Sequence, residues 1–514
     1  MTRRVLDRQT PRLSRHTARA LAGALTLSLA CTTVVNPVTG EREYTTMSPQ
    51  QEVKIGQQAA AEVEQQLGHV DDAKLQAYVA QIGERLAQFS PRRDVAYAFH
   101  AVEMEETNAF ALPGGYVYVS RGLLALANSE DELAGVIGHE IGHVAARHSA
   151  QRQTRGQLAG IGSAIATIGA AILGGGELAQ SVGQLSQTAG QSWLANYSRD
   201  QERQSDEIGQ KLAAQAGYDP AGIARFLAAL GKEEELRTGE KRKTTFLDSH
   251  PSSEERVRGA TARAGSFTRA AAAPIAKDHN DFVRRFDGLL VGPDPAQGIF
   301  RDTTFLHPDL DFALVFPRGW QTQNSPQAVM AKPLEGNALI AFLGLPASEG
   351  TDPRAAARKA LSEAAQQNLP AEDGGAVRVG AARGQRVRVL LNGGQLVERD
   401  YFVHGGALFA IQTMALQTES DAWGDAFDRT LASFRKLTDD DRALIVATRI
   451  ALVAAKQGET LEQVSKRSGN TWSAARTALF NGLRGDERLA AGFLVKIARE
   501  RPYVAKPKTA VEAK

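Results

Sequence analysis

His139, Glu140 and His143 stand in the stretch GVIGHEIGHVAARHSAQ, residues 135–151, an H-E-x-x-H pattern in a chain with only ten histidines. Positions four apart on an α-helix face the same way, so His139 and His143 can present two imidazole nitrogens to one ion. Glu140, one residue along, projects beside the pair, where it can take a proton from a water on the metal. Zinc suits such a pair: it lowers the pKa of its water toward ~7 and polarises a carbonyl, which is the chemistry of peptide hydrolysis. A chain this poor in histidine yields on the order of 0.01 such patterns by chance. The alternative, a surface helix with a coincidental histidine pair, is therefore the weaker one.

Two histidines do not complete a zinc site, and a third protein ligand must come from elsewhere. A metzincin would carry Gly at 146 and His at 149, where this chain has Ala146 and Ser149. His148 falls out of phase with His143 on a continuous helix and is expected at the surface. Downstream, Glu202 and Asp206 are again four apart, in SRDQERQSDEIG. That spacing lets Glu202 bind the metal while Asp206 accepts an imidazole N–H and fixes its tautomer. Taken alone the pair also fits a solvated helix face; beside H-E-x-x-H the metal reading gains ground.

These side chains need elements to hold them. Ser129 with Glu132 three residues later has the capping-box pattern and starts the helix that carries His139 and His143. Between 48 and 90, Val53, Ile55, Leu67, Leu75, Val79, Ile82 and Leu86 recur at helical steps. Pro113, Gly114 and Gly115 supply a turn before a strand at YVYVS, residues 116–120. A helix near 193–216 closes at Gly217, and helices at 220–237 and 252–264 complete an α-rich domain. In the Gly-, Ala- and Ile-rich stretch 156–190, the weakly polar run LAGIGSAIATIGAAIL is sixteen residues long, too short for a full membrane span, and a buried or cleft-covering hairpin is expected, with insertion at a membrane surface as the alternative.

Beyond that domain the texture changes. Strand-like segments, a hairpin at Asn392–Gly394 and a closing helix predict a small α+β sheet domain over 298–437, in which His307 and His404 lie singly and read as structural. Residues 445–500 predict strand, helix, helix, strand. There GETLEQVSKRSG, LFNGL and LAAGFLVKIA resemble the LysM family, whose members bind N-acetylglucosamine polymers. The resemblance implies peptidoglycan; a docking module of the same βααβ shape without sugar affinity fits equally. Residues 501–514 are expected as a disordered, solvated tail.

Residues 1–30 hold six arginines and one aspartate, a net +5 that, removed from the chain's +2, leaves −3. No basic footprint for nucleic acid remains. The arginines precede the apolar run ALAGALTLSLAC, which reads as a signal peptide ending before Cys31. LSLAC resembles a bacterial lipoprotein box, with Ser28 where leucine is more usual, so Cys31 is expected to be lipidated and followed by a linker over 31–47. Thr32 after it implies outer-membrane sorting in such proteins; an ordinary signal-peptidase site is the alternative. Cys31 is the only cysteine, so no internal disulfide forms. With 514 residues and 43% hydrophobic content, a multidomain globular α+β protein is expected.

Four stretches in order, NAFALPGGYVYVSRGLL, HEIGHVAARH, SRDQERQSDEIG and DSHP, resemble the zinc metallopeptidase family of HtpX and the CAAX prenyl proteases, peptidase family forty-eight, in its exported bacterial branch. The resemblance covers about residues 48–265 and implies a gluzincin fold with one zinc ion. By position it makes His139, His143 and Glu202 the zinc ligands, Glu140 the general base and Asp206 the partner of a ligand histidine. His250 matches a family histidine that steadies the oxyanion or caps the zinc in a latent form. Ser205 departs from the usual alanine. The strand YVYVS would edge the cleft and accept an extended peptide as an added strand. The function implied is a zinc endopeptidase, anchored in the outer membrane and facing the periplasm, that hydrolyses misfolded or stalled envelope proteins. The alternative is a latent protease acting as an assembly factor or peptidoglycan-binding scaffold.

Overall fold

The computed structural model describes residues 32–155, 197–236, 246, 250, 254–325 and 328–505. The expected signal peptide, the lipidation at Cys31, the 156–190 segment and the tail from 506 lie outside the described residues. The chain divides into two compact units, the first ending at Lys277 and the second beginning at Asp278.

In the first unit, strands β1 (Thr32–Val35) and β2 (Arg42–Thr45) form an antiparallel hairpin. Helix α1 (Pro49–Leu67) starts at Ser48, whose side chain caps the Gln51 amide while the Gln51 side chain caps Ser48 in return. Helix α2 (Ala73–Ala87) is capped by Asp72 and buries Leu75, Val79, Ile82 and Leu86, the apolar positions of the helical pattern. Strands β3 (Ala98–Val102), β4 (Ala109–Leu112) and β5 (Tyr116–Ser120) make a sheet in the order β3-β5-β4, with β3 parallel and β4 antiparallel to β5. YVYVS is thus the central strand, bonded on both sides and mostly buried, and cannot take an added peptide strand. Among the described strands, β3 and β4 are the edges of this sheet, so of the hairpin pair it is β4 that has a strand on one side only; both hairpin strands share the Pro113–Gly115 turn, and periodicity does not tell which of them finds the third partner.

Helix α3 (Arg121–Leu126) follows β5 directly, and α4 (Glu130–Ala145) carries the H-E-x-x-H pattern. Ser129 caps α4 by accepting from the Glu132 amide, while the Glu132 carboxylate accepts from Asn128 N–H, one residue earlier than the capping-box pattern predicts. Every residue of α4 from Glu132 to Ala145 is buried, which marks it as the central helix of the unit. Helices α5 (Arg199–Gln215) and α6 (Gly222–Leu236) pack against it, and α7 (Glu254–Ala264) packs on both. Among the described residues, no helix is long and apolar enough to cross a membrane.

The second unit opens with α8 (His279–Arg284), followed by the antiparallel strands β6 (Ile299–Arg301), β7 (Thr304–His307) and β8 (Phe312–Val315). A seven-stranded antiparallel sheet follows. It contains β9 (Gln321–Asn324), β10 (Ala328–Lys332), β11 (Leu339–Gly344), β12 (Ala371–Val379), β13 (Ala382–Leu390), β14 (Gln395–His404) and β15 (Ala407–Leu416), in the order β12-β13-β14-β15-β11-β10-β9. Helix α9 (Pro353–Gln366) covers one face through Ala356 and Ala357 against Val387 and Tyr401. Helix α10 (Ser420–Ser433) helps close a core on the other, with Phe312, Phe342, Phe402, Phe427 and Phe434. His404 donates to the backbone carbonyls of Leu310 and Asp311, and His307 accepts the Leu310 amide, so both histidines have structural partners.

After the short helix α11 (Asp439–Ala443), the chain runs β16 (Val446–Ala454), α12 (Leu461–Ser468), α13 (Ala474–Phe480) and β17 (Leu494–Pro502), strand–helix–helix–strand with β16 and β17 antiparallel. Val453, Leu461, Val464, Val495 and Ile497 form its own small core. β17 extends to Pro502, into the segment expected as a tail.

Candidate metal centre

Close helix packing builds the site. A Cβ at Gly209 of α5 would stand 2.7 Å from the His139 backbone nitrogen, and one at Gly138 of α4 would stand 3.0 Å from the Gly209 carbonyl oxygen. Only residues without a Cβ let the two backbones touch, and that contact brings Glu202 and Asp206 within reach of the α4 histidines. Gly142 makes a similar approach to Ser205.

His139, His143, Glu202 and His250 each offer one donor atom, and the four atoms lie within 4.8 Å of one another. His143 Nε2 is 3.0 Å from His139 Nε2, which is 3.2 Å from His250 Nδ1. Glu202 Oε1 is 3.4 Å from His143 Nε2 and 3.0 Å from His250 Nδ1. Tetrahedral neighbours on a zinc ion at ~2.0–2.1 Å stand about 3.3 Å apart, so these spacings fit one ion shared by all four donors. Asp206 Oδ1 lies 2.9 Å from His139 Nδ1, on the side of the ring away from the cluster. That bond fixes the His139 tautomer with Nε2 free to donate to a metal.

Glu140 is fully buried, and neither of its carboxylate oxygens has a hydrogen-bond partner among the described residues. The ring of His250 is near, with Nε2 3.6 Å from Glu140 Oε1. Burial raises the Glu140 pKa above the usual carboxylate range, against the pull of His250 and His139. A carboxylate so placed costs free energy unless water or substrate reaches it, which is what a proton acceptor at a reacting centre requires. Glu202 and Asp206 behave oppositely. Burial pushes both upward, but the surrounding histidines, joined by Arg256 at Asp206, outweigh it and hold both below the usual range. His139 is raised because Asp206 and Glu202 overcome its burial, whereas burial drives His143 well below the ordinary histidine value.

Residues 73–264 match the profile of peptidase family M48. The first unit therefore carries an M48 peptidase domain. A putative beta-barrel assembly-enhancing protease of Vibrio cholerae is 30% identical over 208 residues, 40% of this chain and 42% of that protein. The mitochondrial metalloendopeptidase OMA1 of Schizosaccharomyces pombe is 32% identical over 229 residues, 43% of this chain and 64% of that protein. The beta-barrel assembly-enhancing protease of Escherichia coli O157:H7 is 25% identical over 235 residues, 45% of this chain and 47% of that protein. The chain thus spans less than two thirds of the length of each. With this family and this donor set, the metal of the M48 domain is zinc.

The structure brings together His139, Glu140, His143, Glu202, Asp206 and His250, all singled out in the sequence, and it adds further residues. Arg256 on α7 donates to both oxygens of Asp206 at 2.9 and 2.7 Å and lies 2.7 Å from Glu202 Oε2. Nothing in SSEERVRGA distinguishes it from Arg258, which pairs at the surface with Glu254. Tyr197 stacks on His143 with ring centroids 3.8 Å apart, and Phe246 stacks on His250 at 4.3 Å. His148 is not at the surface but completely buried, with Nδ1 2.9 Å from His143 Nδ1. The phase argument failed because α4 ends at Ala145 and Arg147 takes a left-handed φ of 59° before the chain resumes as helix over 148–155.

Proposed function

We propose that this protein is a zinc-dependent endopeptidase of the bacterial cell envelope that hydrolyses misfolded or stalled envelope proteins. The observation that carries the reading is the convergence of His139, His143, Glu202 and His250 beside a buried carboxylate, Glu140, that has no hydrogen-bond partner among the described residues. Zinc, when bound, supplies a Lewis acid that acidifies water and polarises the scissile carbonyl. His139, His143 and Glu202 hold the ion, and Asp206 and Arg256 hold His139 and Glu202 in their orientations. Glu140 takes the proton of the attacking water and returns it to the departing amine; burial, by raising its pKa, makes it a better acceptor near neutral pH.

Among the described strands, β4 has a neighbour on one side only, and α4 packs against it. An extended peptide adding to that side gains main-chain hydrogen bonds whatever its side chains, which suits substrates of varied sequence. The similarity to beta-barrel assembly-enhancing proteases and the export signal read at residues 1–30 support the envelope setting, and the lipid anchor at Cys31 rests on the LSLAC sequence. The deciding experiment is zinc content and casein cleavage of the full chain, with Glu140→Gln beside it. A zinc-loaded protein that cleaves, and a variant that holds zinc without cleaving, are expected; equal cleavage by both refutes the assignment of Glu140.

A second reading is favoured by His250. Its Nδ1 stands among the ligand atoms, stacked on Phe246 and backed by the Phe246 carbonyl, which accepts the His250 amide at 2.8 Å. A fourth protein ligand there would hold the protease latent, leaving the protein to act as an assembly factor through its second unit. The βααβ segment would then grip peptidoglycan or a protein partner. Retention of residues 440–505 on purified peptidoglycan tests the sugar arm, and no retention removes it.

A further inference from the structure

We infer that His148 is a positioning residue that fixes the tautomer and orientation of His143 through an imidazole–imidazole hydrogen bond, with Gln204 as its anchor. His143 Nε2 faces the donor cluster, 3.0 Å from His139 Nε2 and 3.4 Å from Glu202 Oε1. A neutral imidazole that donates to a metal through Nε2 must carry its proton on Nδ1. That atom lies 2.9 Å from His148 Nδ1, so His148 accepts the proton there and carries its own on Nε2. His148 Nε2 in turn lies 2.9 Å from Gln204 Oε1, a carbonyl that can only accept. One consistent direction of donation therefore runs from His143 to His148 to Gln204. The Ser205 hydroxyl oxygen stands 3.3 Å from His148 Nδ1, beside this bond, at the position where alanine is usual.

The backbone is shaped for this contact. On a continuous helix a residue five positions on points about 140° away. The left-handed Arg147 cancels that rotation, and its side chain is tied down by donating to Glu52 and to the Met47 carbonyl. Arg92 completes the clamp, pairing with Glu52 and donating to the Val144 carbonyl at 3.0 Å. A buried Arg–Glu–Arg group is thus spent on one turn of chain, and that turn delivers His148 to His143.

The two α4 histidines are consequently backed by different partners. His139 leans on the Asp206 carboxylate, which makes its ring a stronger electron donor, while His143 leans on a neutral ring. The asymmetry orients His143 without adding a fourth carboxylate to a site that already holds Glu140, Glu202 and Asp206.

The inference rests on zinc occupying the four-donor cluster, and its test keeps the two apart. In the full chain, zinc affinity is measured by competition with a chromogenic chelator, and the visible absorption of the cobalt-substituted protein is recorded. His148→Phe keeps a ring but leaves the His143 N–H without an acceptor; it should lose 10- to 100-fold in zinc affinity and shift the cobalt bands. His148→Gln, whose side-chain oxygen can accept the same proton, should recover most of that loss. Gln204→Glu, on a partly exposed side chain, should hold zinc more tightly than wild type, and decides the matter if His148→Phe fails to fold. Equal zinc affinity and an unchanged cobalt spectrum in His148→Phe, or equal losses in the Phe and Gln variants, would overturn the positioning role alone. A wild-type chain that retains no zinc would overturn the zinc reading as well.

Discussion

Replacing Arg256 with methionine keeps most of the side-chain volume and removes the guanidinium that bridges Glu202 and Asp206. Arg256 is 6% exposed and both carboxylates are 1% or less, so the charges left behind are out of reach of water. Breaking a buried pair by deleting one partner costs about 3–5 kcal/mol. His139, whose pKa its carboxylate neighbours raise despite burial, can take up a proton and offset part of this, which places the metal-free loss near the lower figure. At about 2–4 °C per kcal/mol for a domain of this size, the metal-free melting temperature should fall by roughly 6–12 °C. Zinc changes the balance, because a divalent cation beside Glu202 neutralises what Arg256 no longer does, so zinc should raise the melting temperature of the variant more than that of wild type. Calorimetry of the full chain, with chelator and with zinc, reads both quantities. A metal-free loss under about 1 kcal/mol, or the same shift with and without zinc, would refute the electrostatic account of this residue.

Other outcomes follow from the same geometry. Glu140→Gln should retain zinc and lose 10²- to 10⁴-fold or more in cleavage rate, as expected of a general base, measured on an unfolded test protein at saturating zinc. His250→Ala should raise cleavage if the ring holds the protease latent and lower it if the ring steadies the reacting carbonyl; an unchanged rate discards both roles. Gly209→Ala forces a methyl to 2.7 Å from the His139 backbone, so about 1–3 kcal/mol of stability and much of the zinc affinity should go together. In the second unit, burial lowers the His307 pKa to about 4. The unfolded chain, with an ordinary value near 6.5, then binds more protons between those limits, so this contribution is complete above pH 6.5 and lost as pH falls to 4. The loss is at most about 3 kcal/mol, and His307→Gln should flatten the pH profile of unfolding over that window.

Much of the site was legible because it rests on local periodicity. Two histidines four apart and two carboxylates four apart each share a helix face in any helix, so His139, His143, Glu202 and Asp206 could be paired without knowing how the helices cross. Ser129 as a cap and the apolar spacing of α2 belong to the same class, since a cap and a buried face are decided within a few residues. The strand–helix–helix–strand order of residues 446–502 was readable from its own turns for the same reason.

What the sequence could not decide depends on contacts between distant segments or on a single break in a helix. Which strand of the β4–β5 hairpin lies at the edge is settled by where β3 docks, and β3 chose the side of β5 that was expected to be open. His148 moved from surface to interior because one residue, Arg147, adopts a left-handed backbone held by Glu52, nearly a hundred positions away. Arg256 and Tyr197 carry no signal of their own, since a long cation and an aromatic ring look alike on a surface and in a core until the neighbouring chain is in place. Residue spacing paired His139 with His143 and Glu202 with Asp206 on their own helices, and packing decided that the pairs and His250 meet and what stands behind them, because a helix sets its own faces while only the whole fold determines what each face meets.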